Sequence, residues 1–132
     1  MRYVVAQFVL IAAIAIGWLF PPRPGHETIG AVLAIAGALL AAWTTRTLGP
    51  ALTPHPVPRG PLVTGGPYRW VRHPMYVAGT LLCVGVSLAL SWASLALTAV
   101  LVAVWVAKAR VEERNLAARF PEYEEYRRTT LF

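Results

Sequence analysis

Apolar residues fall in three long blocks, and the interruptions between them are polar and rich in proline. The first block, Tyr3–Phe20, is apolar except for Gln7 and is just long enough to span a bilayer, which predicts a helix over 3–20. Pro21, Pro22 and Pro24 stop it. The second predicts a helix over 29–48. Its Gly30 and Gly37 are small enough to let helices approach closely in lipid, and Trp43 and Arg46 mark its interfacial end. The third runs from Met75 to Ala107 with only Ser, Thr and Cys as polar breaks. A single helix of that length would measure roughly 50 Å against a hydrocarbon core of about 30 Å. The block is therefore expected to fold as a hairpin of helices over 75–90 and 92–110, turning at Ser91–Trp92.

Between the second and third blocks, Gly49–His73 carries too many prolines and glycines for a regular helix. A loop this long in so small a chain is uncommon unless it binds something or is disordered. From Lys108 the chain is polar and helical, then aromatic, with Glu112, Leu116, Phe120 and Tyr123 on one face and a break at Pro121. The expectation is an all-α, polytopic integral membrane protein, a single domain over 1–132 with about four transmembrane helices. A binding loop spans 60–76, and an amphipathic cytoplasmic segment over 108–128 folds back over it.

Composition supports a bilayer as solvent: 57% of the residues are hydrophobic and 14% charged. The net charge of +6 sits beside the apolar blocks, at Arg46, Arg59, Arg69 and Arg72 in the long loop and from Lys108 onward. The opposite loops offer only Arg23, balanced by Glu27. Positive residues favour the cytoplasmic side, which places both ends of the chain, the loop and the tail there, in a bacterial-type cell membrane. No basic stripe interleaved with aromatics is present, which argues against a nucleic-acid partner. The first block is followed by prolines without a small-residue cleavage site, so it reads as a retained helix and not a signal peptide. Cys83 is a lone cysteine in an apolar run and reads as a small buried hydrophobe.

The densest chemistry lies in the run from Gly65 to Tyr76, ending where the third block begins. Pro74 suits a first helical turn, whose free N–H groups attract anions, and Arg72 and His73 lie beside it. Tyr68 and Tyr76 add aromatic surface. The second cluster is the pair Glu112-Glu113, costly near a membrane unless hydrated, paired or bound to a cationic ligand. Each residue has a plainer reading. Arg72 can snorkel to headgroups, His73 can cap a helix, Glu112 and Glu113 can pair with Lys108 and Arg110, and the tyrosines with Tyr123 and Tyr126 can form an interfacial belt. His26 and His55 stand apart, so no metal site is expected, and there is neither a phosphate loop nor a dinucleotide glycine pattern.

The spacing as a whole, however, is distinctive. The run Leu62-Val63-x-x-Gly66-Pro67-Tyr68-x-x-x-Arg72-His73-Pro74-x-Tyr76-x-x-Gly79, then Glu112-Glu113-x-x-Leu116-x-x-x-Phe120 with Tyr123 and Tyr126, resembles the isoprenylcysteine carboxyl methyltransferase and phospholipid methyltransferase superfamily. The tail departs from a common form at Phe120-Pro121, where Tyr123 follows the Phe by three residues instead of four. The resemblance implies S-adenosylmethionine as cofactor, held by Gly66, Pro67, Tyr68, His73, Pro74 and Tyr76 of the loop and by Glu112, Glu113 and Leu116. It implies catalytic parts for Arg72, Glu113 and His73: Glu113, then His73, as base for an amine acceptor, and Arg72 to orient a carboxylate or thiolate. The partners implied are the bilayer and a lipophilic acceptor bearing a carboxylate, amine or thiol, with Gly- and Ala-rich faces able to form a homo-oligomer. A membrane reductase superfamily using NADPH has a similar Arg-His-Pro-x-Tyr loop, and a noncatalytic scaffold is the third reading.

Overall fold

The computed structural model describes residues 2–21, 24–55 and 60–132. Arg23 and Arg59, used above for orientation, and the loop prolines Pro22, Pro56 and Pro58 lie outside the described residues. Among those described, the chain is all-helical: α1 (Arg2–Ala15) with a 3-10 turn over Ile16–Leu19, α2 (Glu27–Leu48), α3 (Pro74–Leu90), α4 (Trp92–Arg119) and α5 (Tyr123–Thr129). The extended pairing among them is a single bridge between Val71 and Leu131.

Two helical stretches, Glu27–Ala51 and Trp92–Arg119, are long and apolar enough to cross a membrane, whereas Arg2–Ala15 and Pro74–Leu90 are shorter apolar helices. α2 is not the core helix of a soluble fold, because Val32, Ile35 and Leu39 are 63, 61 and 67% exposed. An outer surface of that composition needs lipid against it. Glu27 in the first turn of α2 and Arg46 in its last complement the helix dipole.

Small residues set the packing of α2 on α3. A Cβ on Gly37 would meet the main chain of α3, Leu82 N at 2.5 Å and Ala78 O at 2.7 Å, and one on Gly85 would strike Ala34 and Gly30 of α2. In lipid, where burying apolar surface gives helices little reason to associate, such close approach supplies the contact. The α3–α4 hairpin turns at Ser91, whose side chain caps α4 by accepting from Ser94 N at 3.1 Å. Across it Ser87 and Thr98 share a hydrogen bond of 2.9 Å. α1 lies against α4, where Ser94 Oγ donates to Ile14 O at 3.1 Å.

Two boundaries differ from the sequence reading: in the first block the α-helix ends at Ala15 and a 3-10 turn covers Ile16–Leu19, and α4 is longer than expected. α4 does not end near 110; it runs unbroken to Arg119, so the polar segment from Lys108 is its last turns and not a separate amphipathic helix. The residues from Lys108 to Arg119 include no helix breaker, and the helix stops only at Phe120-Pro121. The separate tail helix is the short α5. The consequence for the site is direct: Glu112 and Glu113 ride on the same rigid rod as the hairpin.

Candidate functional site

The loop reaches the site through a turn that requires glycine. Gly66 has φ of +55°, and a Cβ there would meet Thr47 Oγ1 of α2 at 2.6 Å. It opens a 3-10 turn over Gly66–Arg69 in which Pro67 and Tyr68 are buried. His73 then precedes α3 with Pro74 at its first position, and His73 O accepts from Tyr76 N at 3.0 Å and Val77 N at 3.2 Å.

Arg72 and His73 meet α4 at Glu113. Arg72 Nε donates to Glu113 Oε1 at 2.9 Å, and His73 Nε2 lies 3.2 Å from the same oxygen. The Arg72 guanidinium also donates through Nη1 to the main-chain oxygens of Arg127 (3.1 Å) and Thr130 (2.9 Å). Its backbone N–H, with that of His73, points at the oxygens of Leu131 and Phe132. The two amides just ahead of the helix start therefore hold the tail. His73 is buried, its ring stacked on Tyr76 with centroids 5.6 Å apart and tilted against Phe132 at the same distance. Burial lowers its pKa below the usual imidazole value; the bond to Glu113 opposes that shift and nearby Arg72 reinforces it. The imidazole is neutral at neutral pH.

Glu112, one position earlier on α4, faces a different set of groups. Tyr76 Oη donates to its Oε1 at 2.7 Å, its Oε2 is 3.7 Å from His73 Nδ1, and Lys108 Nζ is 3.9 Å from Oε1. From the tail, Tyr126 Oη donates to Tyr68 O at 2.6 Å. Tyr123 is 1% exposed, and its hydroxyl has no hydrogen-bond partner among the described residues. Burial first, and for Tyr123 the Glu113 carboxylate next, pushes Tyr123 and Tyr126 up to about 12; burial also raises Tyr68. All three are donors at any ordinary pH.

Most of these groups rim a cavity of about 630 Å³ whose other walls come from α1, α2, α3 and residues 51–55 and 61–63. Of the residues assigned from sequence to cofactor or catalysis, Tyr68, Arg72, His73, Tyr76, Glu112 and Leu116 line it, as do Leu62, Val63, Gly79, Tyr123 and Tyr126 of the quoted motif. Gly66, Pro67, Pro74 and Glu113 are not in its wall; the first three shape the backbone behind it, and Glu113 holds Arg72 and His73 from outside. The sequence reading did not assign Lys108 and Gln7 to the site, though both line the cavity, bonded Nζ to Oε1 at 3.0 Å. It also passed over Trp105, stacked on Tyr76 at 5.7 Å. Two signals were present: Gln7 is the polar exception in its block, and Lys108 stands one helical turn before Glu112.

The fold and site define a helical membrane protein with a cluster of ionisable side chains at the mouth of a largely apolar pocket. The chain matches the phospholipid methyltransferase family over residues 26–123 and belongs to that family. α1 lies outside the matched segment. A cobalt-zinc-cadmium resistance protein, CzcN of Cupriavidus metallidurans, is 47% identical over 73 residues, covering 52% of this chain and 33% of that protein. The chain thus spans about a third of the length of the curated relative it matches. No solved structure matches. The family is one of methyltransferases, and it favours neither the nicotinamide reductase nor the scaffold reading.

Proposed function

We propose that the protein transfers a methyl group from S-adenosylmethionine to a lipophilic acceptor at the membrane surface. The observation that carries this reading is the convergence of Arg72 and His73 from the loop and Tyr76 from the first turn of α3 with Glu112 of α4 at the apolar cavity, with Glu113 behind them bonded to Arg72 and His73. The volume is within the usual range for a site that encloses a small molecule, roughly 300–1,000 Å³.

The residues present fit the cofactor. The buried Tyr123 hydroxyl without a partner is the kind of group a ligand satisfies. Glu112 lines the cavity and can accept from an ammonium or a ribose hydroxyl, while the ring faces of Tyr68 and Tyr76 suit a sulfonium, a cation–π contact of roughly 1 kcal/mol. Leu116 supplies apolar wall, and Gly66, Pro67 and Pro74 set the loop that carries these groups. The bound cofactor supplies an electrophilic methyl. The protein's part is alignment of the reacting atoms in a largely apolar pocket. Where the acceptor is an amine, His73 is the base within the cavity and Glu113 orients it and stabilises its charged form. Where it is a carboxylate or thiolate, no base is needed.

The bundle is read as four membrane crossings, with α1 and α3 completing a span through their adjoining turns, and with the loop, the tail and both ends of the chain on the cytoplasmic face. Nothing in the site carries the relative's metal-resistance name to this chain: among the described residues no three His, Cys, Asp or Glu side chains converge to hold a metal ion. Titration of the detergent-purified protein with S-adenosylmethionine, S-adenosylhomocysteine and NADPH tests the reading. Binding of the first two is expected. Binding of NADPH alone overturns it in favour of the reductase, and no binding by folded protein leaves the scaffold.

A further inference from the structure

Lys108 is the charged group the mechanism above does not use. It is 2% exposed, on α4 inside the bundle, with its ammonium 3.0 Å from Gln7 Oε1 of α1 and 5.5 Å from the centre of the Tyr76 ring. Glu112 Oε1, at 3.9 Å, lies beyond hydrogen-bond distance and already accepts from Tyr76 Oη. Of the three ammonium protons, one is engaged by Gln7 among the described residues. Glu112, one turn on in the same helix, balances the charge without a hydrogen bond, and the neutral Gln7 amide orients the ammonium without filling its remaining donors; a charged group so buried in a membrane protein, and lining a cavity, marks a ligand path. Lys108 and Gln7 both line the cavity, on the side where its wall turns apolar with Phe8, Ile11, Ala41, Leu82 and Cys83.

We infer that Lys108, aimed by Gln7, recognises the acceptor, and that the acceptor is a lipophilic carboxylate whose alkyl chain lies along that apolar wall. The inference rests on the methyltransferase reading. Two arguments select the anion. Arg72 with Glu113 and Lys108 with Glu112 sum to no net charge, while a zwitterionic sulfonium donor brings one positive charge; an anionic acceptor completes the balance and an amine does not. An amine must also lose a proton on reaction. A carboxylate oxygen instead forms its bond to the methyl carbon as the carbon–sulfur bond breaks. The electron pair stays on sulfur, and a neutral ester and a neutral thioether result with no proton moved. Gln7 lies outside the segment that matches the family, so this recognition element belongs to the chain's own first helix.

The test uses the full chain in nanodiscs with methyl-labelled S-adenosylmethionine and three acceptors: palmitate, hexadecanethiol and phosphatidylethanolamine. Palmitate methyl ester is the expected product. Lys108→Met is expected to lower kcat/KM for palmitate by about 100-fold while S-adenosylhomocysteine binds as in wild type, and Lys108→Arg to retain most of it. Gln7→Glu separates recognition from fastening. It places a carboxylate on the ammonium, which strengthens the α1–α4 contact yet repels the acceptor, so palmitate binding by equilibrium titration is expected to fall. Turnover of phosphatidylethanolamine or the thiol in preference to palmitate, loss of S-adenosylhomocysteine affinity in folded Lys108→Met, or undiminished palmitate binding by Gln7→Glu overturns the assignment. If the wild type binds neither adenosyl compound, the methyltransferase reading fails separately. Palmitate titration then decides the anion site alone: binding lost in Lys108→Met supports it, and binding unchanged overturns it.

Discussion

Arg72 and Lys108 each stand beside one member of the Glu112-Glu113 pair, and they are held by opposite means. The Arg72 guanidinium is engaged by Glu113 and by the main-chain oxygens of Arg127 and Thr130, so its Nε and Nη1 donors are taken by the protein itself. Lys108 has a neutral amide, an aromatic face and a carboxylate just beyond hydrogen-bond reach. Arg72 is therefore committed to holding the tail, and Lys108 keeps donor capacity for something else. A motif arginine read from sequence as a substrate-orienting group is, by its partners, first of all the clasp that places the tail over the site.

The largest effect is expected at that clasp. Arg72→Ala removes three charged hydrogen bonds, and each bond to a charged group contributes roughly 1.5–3 kcal/mol, less where solvent reaches it. Methyl transfer is expected to fall by at least about 100-fold, and the segment from Tyr123 to Phe132 to lose protection from amide hydrogen exchange at the same time. Arg72→Lys should not restore either, because an ammonium cannot reproduce the fork. Lys108→Met is the contrast, with transfer lost and the tail still protected. Full tail protection in Arg72→Ala would erase the distinction between the two ends.

Glu113→Gln is expected to follow, with transfer down by about 10-fold and partial loosening of the tail. The amide oxygen can still accept from Arg72, but the charge that holds both Arg72 and His73 is gone. The same substitution at Glu112 tests the other end. It should weaken adenosyl-ligand binding in the same titration, with tail exchange unchanged, because Glu112 bonds Tyr76 and not the clasp.

The contrast also shows what a sequence carries. Runs of apolar residues and the prolines between them were sufficient for an all-helical membrane protein, since spacing and side-chain type decide both. Where α4 ends was not legible from hydropathy, because Lys108–Arg119 changes from apolar to polar without losing helix propensity, and only Pro121 stops it. The loop and tail motifs drew attention to Arg72, His73, Glu112 and Glu113, which the fold brings within reach of one another. That Arg72 grips the tail was hidden, because its acceptors are backbone carbonyls and no side-chain type records them. Lys108 and Gln7 are 101 residues apart and meet only through the packing of α1 on α4.

His73 offers a smaller effect whose sign is fixed. Burial holds its folded-state pKa below that of the unfolded chain, about 6.5. Above that value both states are neutral and the ring makes no pH-dependent contribution. As pH falls below it the unfolded chain takes up a proton that the buried ring does not, so stability declines toward the lowered folded value, by at most about 1.4 kcal/mol per pH unit. The difference in thermal midpoint between wild type and His73→Gln should therefore change between about pH 6.5 and 5 and stay level above it. A difference that is flat across the whole range would mean that the ring titrates at the same pH folded and unfolded, and a wild type that gains relative stability as the pH falls toward 6.5 would mean that Glu113 holds the charged ring in the folded protein.

The smallest expected effects come from two buried hydroxyls without a partner among the described residues, one at each kind of place. Thr44 is fully buried in α2, away from the cavity wall, and Tyr123 lies in that wall at the tail. Thr44→Val replaces an unsatisfied hydroxyl with a methyl of similar size and is expected to stabilise the protein by roughly 1 kcal/mol without touching ligand affinity. Tyr123→Phe should likewise leave stability level or slightly higher. Its adenosyl-ligand affinity should nevertheless fall about 3- to 10-fold, because there the missing partner is the ligand. Equal behaviour of the two variants in the titration would place Tyr123 with Thr44, as a packing defect. The split response would mark the loop–tail end as complete only when the cavity is filled.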